Sequence, residues 1–311
     1  MILVIGAMAG AAASKSRSKK GQLQLIDLSE QYQQQTDEIQ QELLDKKQYK
    51  RWQKELGKQD NSPDTRLFVI DFHGSMDARE TDSLREEVSA ILAVATANDE
   101  VLLRLESGGG VVHGYGLAAS QLDRLRQQNI QLTVAIDKVA ASGGYMMACI
   151  GNAILAAPFA IVGSIGVIAQ IPNFNKLLKK NNIDFEQFTA GEYKRTVTLF
   201  GENSDKGREK FQQELEQTHQ LFKQFVQDHR PSLDIDAVAS GEHWFGYQAK
   251  ALNLVDTLQT SDDYIQQALK TKRVLQVKYQ LKKGIAEKVG MGSANILSQW
   301  WQKLQQHSWL N

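Results

Sequence analysis

Leu132-Thr133-Val134-Ala135-Ile136-Asp137-Lys138-Val139-Ala140-Ala141-Ser142-Gly143-Gly144-Tyr145 holds the fold in miniature: a short apolar run, a loop of small residues, then a helical stretch over 143–150. The same alternation extends outward on both sides. Arg66-Leu67-Phe68-Val69-Ile70-Asp71-Phe72 and Val101-Leu102-Leu103-Arg104-Leu105 read as strands, with helical spacing over 80–97 between them and over 115–127 after the second. Ala153-Ile154-Leu155-Ala156 and Gly166-Val167-Ile168-Ala169 read as further strands, followed by helices over 205–229 and 262–271. Strands that alternate with crossover helices predict parallel β-α-β units and an α/β core.

The flanks read differently. Residues 22–61 are rich in Gln, Glu and Lys, with Leu25, Leu28, Tyr32, Ile39, Leu43, Leu44 and Trp52 on a narrow apolar stripe, which predicts a helical stalk or assembly segment. A turn-forming stretch, Asn61-Ser62-Pro63-Asp64, closes it. Residues 2–13 are apolar and are followed by Lys15, Arg17, Lys19 and Lys20. As a helix they would span about 18 Å, against a hydrocarbon core of about 30 Å. The segment therefore reads as the end of a membrane anchor, with the charges at headgroup level. In the C-terminal tail, Ile296, Leu297, Trp300, Trp301, Leu304 and Trp309 give an amphipathic helix after a Gly290-Met291-Gly292-Ser293 hinge. The expected organisation is an anchor over 1–20, a stalk over 21–62, a catalytic domain over 63–280 and a tail over 281–311.

Composition narrows the function classes. The 311 residues carry 36 Lys+Arg and 36 Asp+Glu, so there is no net basic field to hold a nucleic-acid backbone. The only cysteine, Cys149, can form no intrachain disulfide and has no CxxC or histidine cluster to make a zinc site. It reads as a small buried apolar residue.

Chemistry concentrates in glycine-rich loops that follow strands. Glu106-Ser107-Gly108-Gly109-Gly110 fits neither phosphate-binding fingerprint, but its backbone N–H groups could converge on an anion or an oxyanion. Ser142 stands between small residues at the start of a helix, where it is either a helix cap or a nucleophile whose oxyanion would face the Gly143 N–H. A nucleophile needs a base. The histidines His73, His113, His219, His229, His243 and His307 are scattered, which leaves lysine as the other option. Lys138 and Lys194 are both candidates, and spacing alone does not choose between them.

Ser107-Gly108-Gly109-Gly110, Asp137 through Tyr145, Gly163-Ser164-Ile165-Gly166-Val167 and Gly191-Glu192-Tyr193-Lys194 together closely resemble the signal peptide peptidase A family of serine proteases, over residues 20–280. The resemblance implies a ClpP/crotonase-like β-α-β superhelix and a Ser-Lys dyad. Ser142 would be the nucleophile, Lys194 the general base, Ser164 a partner of the lysine amine, and Gly109 and Gly143 the oxyanion hole. It implies no metal or organic cofactor. It also implies a peptide or protein substrate derived from membranes or signal peptides, and a homo-oligomer in which one protomer's lysine serves its neighbour's serine. Gly108 departs from the Ser-Pro-Gly-Gly usual in the family, which loosens the loop. The expected location is the bacterial inner membrane. The positive-inside rule favours a cytoplasmic catalytic domain, whereas signal-peptide-processing relatives place theirs across the membrane, so the side stays open. The rival readings are a crotonase-type acyl-CoA enzyme and a non-catalytic membrane scaffold.

Overall fold

The computed structural model describes residues 21–56 and 64–280. The expected anchor over 1–20, most of the boundary stretch and the tail over 281–311 lie outside the described residues. Two units are present. In the smaller, the described residues are 21–24 and 279–280, and the Gly21 amide donates to the Tyr279 hydroxyl at 2.8 Å. Leu25–Lys278 form the larger unit.

In chain order, β1 (Gln22–Asp27) precedes α1 (Leu28–Leu43) and α2 (Lys46–Leu56). Then come β2 (Arg66–His73), α3 (Thr81–Leu92), β3 (Glu100–Glu106), α4 (Val112–Gln127) and β4 (Gln131–Ile136). The central run is β5 (Val139–Ala141), α5 (Gly143–Ala148), β6 (Ala153–Ala156) and β7 (Ile161–Gly163). After α6 (Asn175–Lys180) the chain runs through α7 (Asp205–His229), α8 (Ile235–Val238), β8 (His243–Phe245), α9 (Gly246–Ala251), β9 (Thr257–Leu258), α10 (Ser261–Ala268) and β10 (Arg273–Gln280).

The main sheet has the order β1-β10-β2-β3-β4-β6-β9, and every neighbouring pair from β10 onward is parallel. Successive side chains on a strand point to opposite faces. Phe68, Ile70 and Phe72 of β2 accordingly join Leu84, Val88, Leu122 and Leu125 of α3 and α4 in one core. Leu67 and Val69 face the other way, into a smaller core with Leu102, Ala135 and Ile265. Burial on both faces explains why these strands are apolar runs without alternation.

A second sheet, β5-β7-β8, positions the site. β5 and β7 are parallel, β7 and β8 antiparallel, and a single bridge between Ser107 and Ala140 ties the end of β3 to β5. The first glycine loop is thereby set beside Ser142.

Three elements differ from the sequence reading. Gln22–Asp27 is a strand, because Gln22-Leu23-Gln24-Leu25 alternates with the period of two that a strand requires. Gly166-Val167-Ile168-Ala169 is not a strand; the strand is Ile161–Gly163, and it ends where Gly163 (φ 105°) and Ser164 (φ 53°) turn the backbone into the left-handed region. α3 stops at Leu92 rather than near residue 97, and the loop beyond it closes on Asp99, whose carboxylate accepts from the Thr96 amide at 2.7 Å. Among the described residues no helix is long and apolar enough to cross a membrane.

Candidate active site

Ser142 sits at the junction of β5 and α5 with φ 53° and ψ −120°, a conformation that costs an L residue free energy and persists only where its surroundings impose it. Its amide donates to the carbonyl of Gly163 at 2.8 Å, and its carbonyl accepts from Met146 at 3.0 Å. Its side chain makes no capping bond to α5. Of the two readings of this serine, the helix cap therefore drops out, and its hydroxyl has no hydrogen-bond partner among the described residues.

A cavity of about 80 Å³ opens beside it, lined by Gly110, Val112, Ser142, Gly143, Met146, Gly166, Val167, Ile168, Thr218 and Phe222. None of these side chains is charged. Gly143 is buried against Tyr115: a Cβ there would lie 2.4 Å from the Tyr115 ring, so only glycine lets α5 begin this close. Gly109 (φ 86°) abuts the same turn, and a Cβ on it would come within 2.7 Å of Ser142 Cβ and of the Gly143 nitrogen.

The expected oxyanion donors differ in what they already bind. The Gly109 amide donates to Ser107 Oγ at 3.1 Å. Gly110, which the sequence reading did not single out, is a wall of the cavity, and its amide and that of Gly143 have no acceptor among the described residues. Tight packing also fixes Gly110, since a Cβ on it would collide with the Met76 carbonyl at 2.0 Å.

Ser164 follows Gly163 directly, so the backbone bond from Ser142 brings the two serines onto neighbouring strand ends. Ser164 has the same φ of 53°, and its amide donates to Glu242 at 2.6 Å. The two lysines separate clearly. Lys138 is exposed and paired with Glu106 at 3.0 Å, in a different cleft with Asp71, His73 and Arg104. Lys194 lies in a turn closed by its amide on the Gly191 carbonyl at 3.2 Å, is exposed, and has no side-chain partner among the described residues. It is not among the residues lining the cavity of Ser142.

No histidine bonds the Ser142 hydroxyl among the described residues. His219, on α7 next to Thr218, has its Nε2 3.1 Å from the Ile165 carbonyl and so tethers the strand exit to α7. Cys149 is fully buried with its thiol directed at the Met146 carbonyl, and burial pushes its pKa up to about 12, which keeps it an inert thiol.

Residues 124–275 match the sequence profile of peptidase family S49, and residues 1–122 match that of the peptidase family S49 N-terminal region. A protein of Haemophilus influenzae described as probable protease SohB is 53% identical over 311 aligned positions, covering 93% of this chain and 88% of that protein. A probable protease SohB of Buchnera aphidicola subsp. Schlechtendalia chinensis is 65% identical over 199 positions, 64% of this chain and 65% of its own length. One from Buchnera aphidicola subsp. Acyrthosiphon pisum is 58% identical over 234 positions, covering 75% and 70%.

Proposed function

The chain belongs to peptidase family S49, and on that premise we propose that it is a serine endopeptidase with Ser142 as nucleophile. The observation that carries this reading is the strained Ser142, whose hydroxyl is left uncommitted at the edge of an apolar cavity that Gly143 also lines.

Neutral Lys194 accepts the Ser142 Oγ proton as Oγ attacks the peptide carbonyl carbon. The resulting oxyanion is held by the Gly143 amide and by the glycine loop, where Gly110 supplies the second N–H and Gly109, tied to Ser107, shapes the turn. Collapse breaks the C–N bond, and the lysine ammonium returns its proton to the leaving amine. Water then attacks the acyl ester, giving up its proton to Lys194; as the C–Oγ bond breaks, the lysine ammonium passes that proton to Ser142 Oγ, which frees the acid and restores the hydroxyl and the neutral amine. Ser164 orients the lysine amine. The cavity suits an apolar substrate side chain, in keeping with peptides derived from membranes or signal peptides. The acyl-CoA reading fares worse, because among the described residues no cationic side chain lines this cavity to meet the phosphates of CoA.

A lysine works as a base near neutral pH only when burial or neighbouring charge disfavours its ammonium. Lys194 is exposed in the single chain, within a largely exposed stretch over 166–204 that is irregular apart from α6 and presents Ile168 (79% exposed) and Phe188 (90% exposed). Association with a second copy would bury this apolar arm and deliver Lys194 to a neighbour's Ser142, so the enzyme works as a homo-oligomer with shared sites. The finer fold reading is the ClpP/crotonase-like β-α-β superhelix, with α1 and α2 as its stalk. The apolar residues 2–13 and the basic flank support attachment to the bacterial inner membrane.

Activity on a soluble fluorogenic peptide tests the dyad. Ser142→Ala and Lys194→Ala should each abolish hydrolysis while the fold is retained, and Lys138→Ala should leave most of it. Full activity in Lys194→Ala would overturn the assignment of the base.

A further inference from the structure

Behind the two glycine loops lies a buried polar chain that the proposed chemistry does not use. Tyr115 of α4 is fully buried, and its hydroxyl donates to the Ser75 carbonyl at 2.9 Å. A phenol has one proton, so the 2.5 Å contact between Ser107 Oγ and Tyr115 Oη must be a bond that Ser107 donates. The Ser107 oxygen is then left to accept from the Gly109 amide at 3.1 Å. The bonds run in one direction, from the Gly109 N–H through Ser107 and Tyr115 to the Ser75 carbonyl, and each polarises the next. Burial raises the Tyr115 pKa above the ordinary phenol value, which keeps the proton on the oxygen throughout the neutral range.

The same side chain meets the second loop. The Tyr115 ring lies directly under Gly143, and a Cβ on Gly144 would come within 2.5 Å of the Ser107 carbonyl. Gly74 is pinned likewise, since a Cβ there would meet Tyr115 Oη at 2.4 Å and Ser107 Oγ at 2.6 Å. Next along the chain, the Met76 carbonyl accepts from the Val111 amide at 2.9 Å, on the far side of Gly110.

We propose that Tyr115 is a positioning residue for the oxyanion hole, fixing the glycine loop through Ser107 and supporting Gly143 with its ring. The proposal rests on the reading of Ser142 as nucleophile. It adds that the spacing between the two sets of backbone donors is set by one buried phenol. Gly108, which stands where the family usually has proline, leaves the loop without a covalent restraint, and the Tyr115–Ser107 bond supplies a non-covalent one.

The test uses the full chain with Tyr115→Phe, Ser107→Ala and the double variant, each with active sites counted by fluorophosphonate labelling. Tyr115→Phe should lower kcat per labelled site about tenfold, the scale of one hydrogen bond lost from a transition state, with KM changed less than about twofold. Affinity for a peptide boronate, which forms a tetrahedral adduct, should fall by the same factor, and affinity for the product peptide should hold. Ser107→Ala should match this loss, and the double variant should fall no further, because both changes cut one chain. Wild-type kcat per labelled site in Tyr115→Phe and Ser107→Ala would overturn the proposal, even if fewer sites were labelled. If Ser142→Ala still took the label, the reading of the site itself would fail, and this inference with it.

Discussion

The amide of Ser142 donates to the carbonyl of Gly163 at 2.8 Å, so the end of β5 is locked to the end of β7 at the residue where both chains turn left-handed. Strain at Ser142 is thus held in place by a neighbour that leads directly to Ser164. Glycine adopts φ 53° without the steric cost a serine carries. Ser142→Gly should therefore raise stability by about 1 kcal/mol in a denaturant titration while losing all hydrolysis. A destabilised Ser142→Gly would show that the backbone there is not under strain.

Gly108 has open space where a side chain would stand, does not have positive φ, and donates its amide to nothing among the described residues. Gly108→Pro should be accommodated and should raise stability by about 0.4–1 kcal/mol through the unfolded state. Activity should be kept or modestly increased. Loss of both would mean that the loop needs a backbone conformation proline cannot reach.

The end of α7 is held by a two-pronged ion pair, in which Arg230 donates to Asp256 at 2.7 and 2.8 Å and to the Asn253 carbonyl at 3.0 Å. Arg230 is 8% exposed, and removing its partner strands a buried cation. Asp256→Ala should cost about 3 kcal/mol, read from the shift in unfolding midpoint, and Arg230→Ala less, because the Asp256 side chain is 38% exposed and water can take up its charge. The Ser142 cavity should feel either change, because Phe222 and Thr218 lie on the same helix.

Acid sensitivity should come partly from Asp99. Burial alone would raise its pKa, but bonds from Arg66 and Thr96 outweigh that and hold the carboxyl at about 2, below its ordinary 3.8. A lowered carboxyl contributes stability that is fully present above the unfolded value and is lost as pH falls through the folded one. The contribution is about 2 kcal/mol. Asp99→Asn should flatten the decline in stability between about pH 4 and pH 2. An unchanged slope would assign the acid sensitivity elsewhere.

The buried runs at Leu67–Ile70, Val101–Leu103 and Leu132–Ile136 could be read as strands because burial on both faces makes them almost wholly apolar, Thr133 being admitted with its hydroxyl paired to that of Tyr264. The same logic misled at Gly166-Val167-Ile168-Ala169: an apolar run looks alike whether its own chain covers it or leaves it bare, and Ile168 is bare. Gln22–Asp27 was hidden by the Gln-rich helix it adjoins. At the site, Ser142 stood out by its small neighbours, but Gly110 is one of three identical glycines, and only packing against Met76 distinguishes it. Thr218, Phe222 and Tyr115 reach the site through long-range packing, which no local spacing encodes. Lys194 was reached through the family resemblance, since a lysine in an exposed turn carries no mark of its own.

The proposed sharing of sites between copies predicts a distinctive outcome. Mixing inactive Ser142→Ala and Lys194→Ala chains should restore part of the activity, because some interfaces then pair an intact serine with an intact lysine. Full-length protein that stays monomeric and active at nanomolar concentration in analytical ultracentrifugation would exclude the shared arrangement.

The central claim is that Ser142 becomes acylated with Lys194 as its base. Its most direct measurement is peptide mapping by mass spectrometry after reaction with a fluorophosphonate. The adduct should appear on Ser142 in the wild type and in Lys138→Ala, and should be absent from Ser142→Ala and Lys194→Ala. An adduct on any other residue, or peptide hydrolysis that continues in Ser142→Ala, would contradict the account.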